Sequence, residues 1–298
     1  MAEKLLLIMN PCSGLKRANR FLTDILVLFG SYGWECTVHM TKGRGDGRST
    51  VTKYANDYSL VVCIGGDGTF NECVDGLLAA NATTPLGYIP AGSTNDFASS
   101  LHLSKNIMRA AKDIMEGQIR HLDVGSFDGR HFTYVASFGA FTKTSYTTPQ
   151  NVKNALGHLA YVLEGIKDLS DIRPQHLRLE AANIKVEGDY LFGAISNSTS
   201  IAGVLTISPK LVDLNDGMFE ALLIRHPTNA AELNEVIRAL TASDYSSYML
   251  DFFSASEINV TASKDMDWTL DGEWQQGAEK IKIENIHNAI RVITNNRK

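Results

Sequence analysis

The stretch from Leu60 to Phe70, LVVCIGGDGTF, decides the fold. Its first five residues are apolar and mostly β-branched, which indicates a short strand buried on both faces. The glycines that follow allow a sharp turn and a close approach of the backbone to a ligand. Apolar residues at helical spacing come next, so we expect a helix just past the loop. A strand, a glycine loop and a helix N-terminus together suit phosphate oxygens, with a purely structural turn as the alternative.

Two further strands are followed by loops of the same kind. The loop Asn10–Gly14 follows the apolar run that ends at Met9, and the loop Ala91–Ala98 follows the run that ends at Pro90. Helical apolar stripes lie between the strands, which predicts βαβ units and a parallel sheet. All three loops would then share the carboxyl edge of that sheet, where open α/β sheets bind ligands. The predicted strands are Lys4–Met9, Glu35–Met40, Leu60–Ile64, Leu86–Ile89 and Ile119–Val124.

The pattern changes after Gly125. Apolar and polar residues alternate there, as in a half-exposed antiparallel sheet, and two helical stretches interrupt at Val152–Leu169 and Ala230–Leu240. We therefore expect an α/β domain over residues 1–124 and a β-rich, mainly antiparallel domain over residues 125–284. The strands predicted in this half are Phe132–Phe138, His176–Ala182, Tyr190–Ser196, Phe219–Ile224, Glu257–Thr261 and Lys280–Glu284.

Composition excludes several classes of protein. The 298 residues are 44% apolar and 20% charged, a normal globular balance, and the net charge of -5 argues against general nucleic-acid binding. Residues 1–53 carry eight Lys and Arg against four acids, which suits a polyphosphate or simply a solvated basic face. The four Cys and eight His lack metal-ligand spacing. We see no signal peptide and no transmembrane run, so we expect a cytoplasmic protein.

The motifs together resemble the catalytic domain of the diacylglycerol kinase family, which includes bacterial soluble lipid kinases and the related sphingosine and ceramide kinases. The Gly-Gly-Asp-Gly-Thr run alone is shared with NAD kinases and phosphofructokinases, whereas the full set covers most of the chain. The resemblance implies a parallel-sheet nucleotide domain, a β-sandwich-like lipid domain and a C-terminal tail, residues 285–298, that packs back on the first domain. The matching motifs are Asn10–Gly14, Gly65–Thr69 with Asn71-Glu72, Gly92–Ala98, Leu122–Gly125, Asn215–Phe219 and Leu270–Glu273.

The resemblance also implies roles for single residues in an ATP-dependent, Mg²⁺-dependent lipid kinase. The carboxylates of Asp67, Asp96 and Asp123 would form a network with water around the catalytic Mg²⁺; a structural hydrogen-bond network is the alternative. The residues expected to contact ATP are Asn10, Ser13, Gly14, Thr41, Gly65, Gly66, Gly68, Thr69, Thr94 and Asn95.

Two later Asp-Gly motifs have competing interpretations. By resemblance, Glu273 is the general base that accepts the proton of the lipid hydroxyl, although Asp-Gly is also a strong hairpin signal. The resemblance also implies that Asp216, with the carbonyl oxygens of Asp213 and Met218, would hold a second, structural Mg²⁺; a plain turn is the alternative.

Two positions depart from the family pattern. Leu15 and Glu164 stand where close bacterial lipid kinases tend to have basic residues. These departures leave open which lipid is phosphorylated, and whether one is.

Three functions therefore compete: a kinase of diacylglycerol or a similar lipid alcohol, a NAD kinase-like enzyme with a soluble acceptor, and a non-catalytic nucleotide- or lipid-binding protein. The late Asp-Gly-Glu motif favours the first. We expect transient, peripheral membrane contact, because no amphipathic or polybasic anchor is evident, and the sequence leaves a homodimer open.

Overall fold

The computed structural model describes residues 3–139, 173–201, 205–208 and 210–295. The chain divides into two units, the first formed by Met1–Asp123 with Asn288–Lys298 and the second by Val124–His287. The helical stretch predicted at Val152–Leu169 lies outside the described residues.

The first unit is built on parallel strands whose carboxyl ends are aligned. Met9 pairs with both Met40 and Ile64, and Gly65 pairs with Pro90, so the loops after these strands leave from the same edge. The final strand of the chain adds to the sheet, with Val292 beside Leu86, giving the order β2-β1-β3-β4-β17. These strands are β1 (Glu3–Met9), β2 (Trp34–Met40), β3 (Leu60–Gly65), β4 (Leu86–Pro90), β5 (Gln118–Phe127, which continues into the second unit) and β17 (Lys280–Thr294).

Helices cover this sheet as the apolar stripes predict. Ile25 and Phe29 of α1 and Ile114 of α5 are buried with the side chains of β1 and β3 that point to the same face. Helix α2 packs on α3, where Val51 lies against Gly76. The helices are α1 (Leu22–Ser31), α2 (Asp46–Tyr54), α3 (Asp67–Ala79), α4 (Asp96–Ser100) and α5 (Ile107–Glu116), with 3-10 helices at Ser13–Phe21 and Ala55–Asp57.

The second unit is mainly antiparallel. Its strands follow the order β16-β15-β7-β9-β8-β14-β17, and β12 pairs with β9 and β13. Aromatic side chains fill its core, where Trp268 contacts Phe127 and Phe138. Its elements are β6 (Arg130–Phe132), β7 (Val135–Gly139), β8 (Gln175–Ala181), β9 (Ile184–Ser196), β10 (Ser200–Ile201), β11 (Leu205–Thr206), β12 (Phe219–Arg225), α6 (Ala230–Ala242), β13 (Leu250–Ala255), β14 (Glu257–Ala262), β15 (Trp268–Leu270) and β16 (Glu273–Gln275).

The predicted fold class, a parallel α/β domain followed by a mainly antiparallel β domain, is confirmed. Individual boundaries differ. Helix α3 begins at Asp67 rather than past the loop, so Gly68 and Thr69 belong to its first turn. The predicted strand Phe132–Phe138 is broken into β6 and β7, and β17 runs well beyond its predicted end at Glu284. No helix of the described residues has the length and apolarity to cross a membrane.

Candidate active site

The three glycine loops of the first unit are in contact. Gly14 has φ of +48°, and a side chain there would overlap the carbonyl group of Ala91. A Cβ on Gly92 would lie 2.5 Å from the Cα of Gly66. The loops after β1, β3 and β4 therefore need glycine where they meet, and the prediction that they share one edge of the sheet is confirmed.

Polar side chains tie these loops together. The side-chain amide of Asn10 donates to Oγ1 of Thr69 at 3.2 Å, which joins the first loop to the first turn of α3. Asn95, with φ of +54°, accepts from the amide of Gly92 and donates to its carbonyl oxygen, both at 2.9 Å. Both asparagines are thus engaged in shaping the loops, a role that the sequence did not distinguish from direct phosphate contact.

The other predicted nucleotide contacts line the same edge. Ser13 begins the 3-10 helix after β1, and its amide donates to the carbonyl of Asn10 at 3.2 Å. The amide of Thr41 donates to the carbonyl of Met9 at 2.8 Å, which places this residue beside the first loop. Gly68 and Thr94 are exposed. Gly68 lies in the first turn of α3, whose backbone N–H groups have no intrahelical acceptor, and Thr94 carries an exposed hydroxyl, so this edge offers donors that phosphate oxygens accept from.

Two carboxylates that received no role from the sequence organise the loop after β2. Glu72 of α3 accepts from the amides of Gly45 at 2.7 Å and Gly47 at 3.0 Å. Asp46 accepts from the amide of Lys42 at 2.8 Å, and this hydrogen bond, with one from His39, lowers the pKa of Asp46. The signal in the sequence is the glycine-alternating run KGRGDG at residues 42–47 after a predicted strand.

Two of the three predicted catalytic acids lie next to each other. Oδ2 of Asp67 accepts from the backbone amide of Asp96 at 3.0 Å. Asp123 is fully buried, and its Oδ1 accepts from the amide of Asn288 at 2.8 Å. Within the described residues, no group of three or more His, Cys, Asp and Glu side chains is placed to hold a metal ion. The three acids are therefore not a closed cage, yet oxygen ligands from Asp67 and Asp96 fit Mg²⁺, which keeps waters and phosphate oxygens in its shell.

The Asp-Gly-Glu motif of the second unit forms the turn of the β15–β16 hairpin. Asp271 and Gly272 have φ of +50° and +82°, so both central residues are left-handed, as in a type I′ turn. Glu273 follows directly and pairs with Leu270 across the hairpin. The hairpin interpretation is therefore correct, and it does not exclude a role for Glu273 because the turn presents that side chain.

An arginine orients the Glu273 carboxylate. Nη2 of Arg130 donates to Oε2 of Glu273 at 2.9 Å, and Nη1 donates to Oε1 of Gln275 at 2.7 Å. The Glu273 side chain is 44% exposed. Its carboxylate is thus accessible to a ligand while one of its oxygens is fixed.

Asp271 anchors the hairpin and was missed by the sequence analysis. Its carboxylate accepts from the amides of Thr133 (2.6 Å), Tyr134 (3.0 Å) and Val135 (3.0 Å), and from the Thr133 hydroxyl (2.9 Å). These bonds take the backbone donors between β6 and β7, which explains why the predicted strand is broken there. Burial raises the pKa of Asp271, and the hydrogen bonds act in the opposite direction.

We predict that Asp271→Ala destabilises the second unit more than any surface change. The substitution leaves three buried backbone donors without their acceptor, which costs about 1–3 kcal/mol for each such group. Chemical denaturation should show a loss on the order of 3 kcal/mol, and Asp265→Ala, an exposed acid of the same unit, serves as the control. Equal stability of the two variants would contradict the anchoring role.

The turn at Asp213–Met218 contains two carboxylates that accept hydrogen bonds from its own backbone amides. Oδ1 of Asp213 accepts from the amide of Asn215 at 3.1 Å, and Oδ1 of Asp216 accepts from the amide of Met218 at 2.9 Å. Nearby, Glu220 is 1% exposed, and its burial together with the charge of Asp216 raises its pKa to about 8. A buried carboxyl beside other acids is a position that a hard cation fits.

The two departures from the family pattern are only partly placed. Leu15 lies in the 3-10 helix after β1, and Glu164 lies outside the described residues.

Comparison with known proteins agrees with this geometry. A family model described as the diacylglycerol kinase catalytic domain matches residues 4–127, and one described as the YegS C-terminal NAD kinase beta sandwich-like domain matches residues 136–294. The chain is 30% identical over 289 residues to a diacylglycerol kinase of Bacillus subtilis (strain 168), covering 96% of this chain and 95% of that protein. It is 31% identical over 290 residues to a diacylglycerol kinase of Staphylococcus haemolyticus (strain JCSC1435), covering 97% and 87%.

A solved structure shows the same fold. The crystal structure of a diacylglycerol kinase from Bacillus anthracis str. Sterne superposes with a TM-score of 0.77 at 21% identity, covering 99% of this chain and 98% of that one.

Proposed function

The chain belongs to the diacylglycerol kinase family and is a lipid kinase, and we propose that it transfers the γ-phosphoryl group of ATP to the hydroxyl of diacylglycerol or a similar lipid alcohol. The observation that carries the proposal is the meeting of three glycine loops at one sheet edge, with Asp67 bonded to the amide of Asp96. Such an edge combines hydrogen-bond donors for phosphate oxygens with carboxylates that suit Mg²⁺, and phosphoryl transfer requires both.

The first unit would hold the nucleotide. Backbone N–H groups at Gly14, Gly66 and Gly68 would donate to phosphate oxygens, as would the Ser13, Thr41 and Thr94 hydroxyls. The carboxylates of Asp67, Asp96 and Asp123 would hold the Mg²⁺ that accompanies ATP. Bound Mg²⁺ would neutralise charge on the phosphate oxygens.

Glu273 of the second unit would act as the general base. The lipid hydroxyl oxygen attacks the γ-phosphorus, the bond from that phosphorus to the β–γ bridging oxygen breaks, and ADP leaves. The hydroxyl proton passes to the Glu273 carboxylate. Arg130 fixes one oxygen of this carboxylate, which orients the other.

A lipid acceptor implies that the protein works at a membrane surface. We propose a cytoplasmic enzyme with transient, peripheral membrane contact, its first unit binding nucleotide and its second unit binding lipid. Sedimentation in solution would test whether the protein forms a homodimer.

One assay tests the function. Purified protein is incubated with radiolabelled ATP, Mg²⁺ and a panel of lipid alcohols, with NAD as a soluble acceptor. We expect label in a phospholipid product. Label in NADP would favour the NAD kinase-like alternative, and nucleotide binding without transfer to any acceptor would favour the non-catalytic one.

We also propose that Asp216, with the carbonyl oxygens of Asp213 and Met218, holds a second, structural Mg²⁺. Asp216→Ala should lower the thermal midpoint measured in Mg²⁺ while leaving ATP affinity unchanged, because a bound structural ion stabilises the folded state by mass action. Asp265→Ala is the matched control. If Asp216→Ala has the same midpoint as its parent in Mg²⁺ and in chelator, the plain-turn alternative holds.

A further inference from the structure

Three buried side-chain oxygens surround the Asp213–Met218 turn. Oε2 of Glu220, Oδ1 of Asn215 and Oδ1 of Asn285 have no hydrogen-bond donor among the described residues. A buried acceptor without a donor is costly, so three around one turn need a common explanation.

The three oxygens come from different elements. Asn215 belongs to the turn itself. Asn285 lies on β17 and donates through Nδ2 to the carbonyl oxygen of Met218 at 3.0 Å, which brings its side chain to the end of the turn. Glu220 lies on β12, and because its neighbour Phe219 points into the core, Glu220 points to the other face of the strand.

The carboxylates of this turn place negative charge near Glu220. The carboxylates of Asp213 and Asp216 both act electrostatically on Glu220. Ser254 offers Glu220 only a distant hydroxyl at 3.5 Å, to Oε1 rather than Oε2. In the described part of the chain, none of these three acids forms a salt bridge with Lys, Arg or His. A buried acid and amide oxygens with no positive partner are the ligands that a hard divalent cation satisfies.

We propose that Glu220, Asn215 and Asn285 supply oxygens to the divalent cation held at Asp216, directly or through one water. The inference rests on the second cation of the proposed function and adds its ligand set. A cation held in this way joins the turn to β12 and β17, instead of resting on the turn alone. Its role is to stabilise the second unit.

Binding of Mn²⁺ to the nucleotide-free, full-length protein tests this by electron paramagnetic resonance, with thermal midpoints measured in Mg²⁺, Ca²⁺ and chelator. Asp216→Ala identifies the signal of this site. We expect Glu220→Gln to weaken that binding at least tenfold and to abolish the midpoint gain from Mg²⁺ or Ca²⁺. In chelator, Glu220→Gln should melt at or above its parent, because the buried carboxyl is gone. Glu187→Gln, an exposed acid on β9, should change neither.

Asn215→Asp provides a test in the opposite direction. An added carboxylate should tighten Mn²⁺ binding while lowering the midpoint in chelator. Unchanged Mn²⁺ affinity in both Glu220→Gln and Asn215→Asp would overturn the proposal and leave ordered water as the partner of these oxygens. A parent protein that phosphorylates lipid yet binds no Mn²⁺ without nucleotide would overturn it too, with the kinase function intact.

Discussion

Asp67→Ala is expected to reduce phosphoryl transfer at least ~10³-fold, which corresponds to about 4 kcal/mol of transition-state stabilisation. The substitution removes a proposed metal ligand and also the acceptor for the amide of Asp96, which begins α4. Both losses affect the edge where the loops meet. Steady-state kinetics with a lipid acceptor would measure the effect on turnover, and calorimetry with ATP or ADP and Mg²⁺ would measure binding.

Asp67→Asn separates the two contributions. Its amide oxygen still accepts from Asp96, so the loop geometry is kept while the negative charge is lost. We expect Asp67→Asn to be nearly as inactive as Asp67→Ala, and Asp57→Asn, an exposed acid of the same unit, to be fully active. Near-parent turnover of Asp67→Asn would show that Asp67 only shapes the loop. If the parent protein binds neither ATP nor ADP at millimolar nucleotide concentration, the proposed nucleotide site is wrong.

The sequence predicts the sheet edge well, because its signals are local. Unbroken apolar strands and glycine loops are each specified by a few neighbouring residues, so they can be recognised without knowledge of the tertiary fold. Helix α2 has no such local signal. Its sequence, DGRSTVTKY, has almost no apolar stripe, and its burial depends on Gly47, Thr50 and Val51 fitting against α3. Close packing of small residues leaves no periodic signal.

The sequence also did not predict the hydrogen-bonding partners of polar side chains. Asp-Gly predicts the hairpin turn, but nothing local shows that Asp271 accepts from backbone amides at residues 133–135, far away in the chain. Asn95 could have faced a phosphate or its own loop, and the structure places its amide on Gly92. Long-range hydrogen bonds depend on the finished fold, so a motif identifies such residues without fixing what they contact.

Glu273→Gln is expected to lower kcat by ~10²–10⁴-fold, the usual contribution of a positioned general base. A lipid hydroxyl is a poor nucleophile at neutral pH, so its proton must be accepted as the bond to phosphorus forms. Glutamine keeps the size of the side chain and an oxygen for Arg130, but it cannot accept that proton. The effect should therefore fall on kcat, and calorimetry should show unchanged affinity for ATP, because the nucleotide residues lie in the other unit.

The control for this variant is Glu279→Gln, which removes an exposed acid from the same unit and should be fully active. Comparison with Asp271→Ala separates the chemical role of Glu273 from the positioning of the hairpin that carries it. If Asp271 only anchors the hairpin, its loss should reduce stability and activity together, whereas Glu273→Gln should lose activity with an unchanged denaturation midpoint. Near-native turnover by Glu273→Gln, on a lipid that the parent phosphorylates, would show that another group accepts the proton. The Asp-Gly-Glu motif would then be a structural hairpin whose exposed carboxylate has no part in the proton transfer.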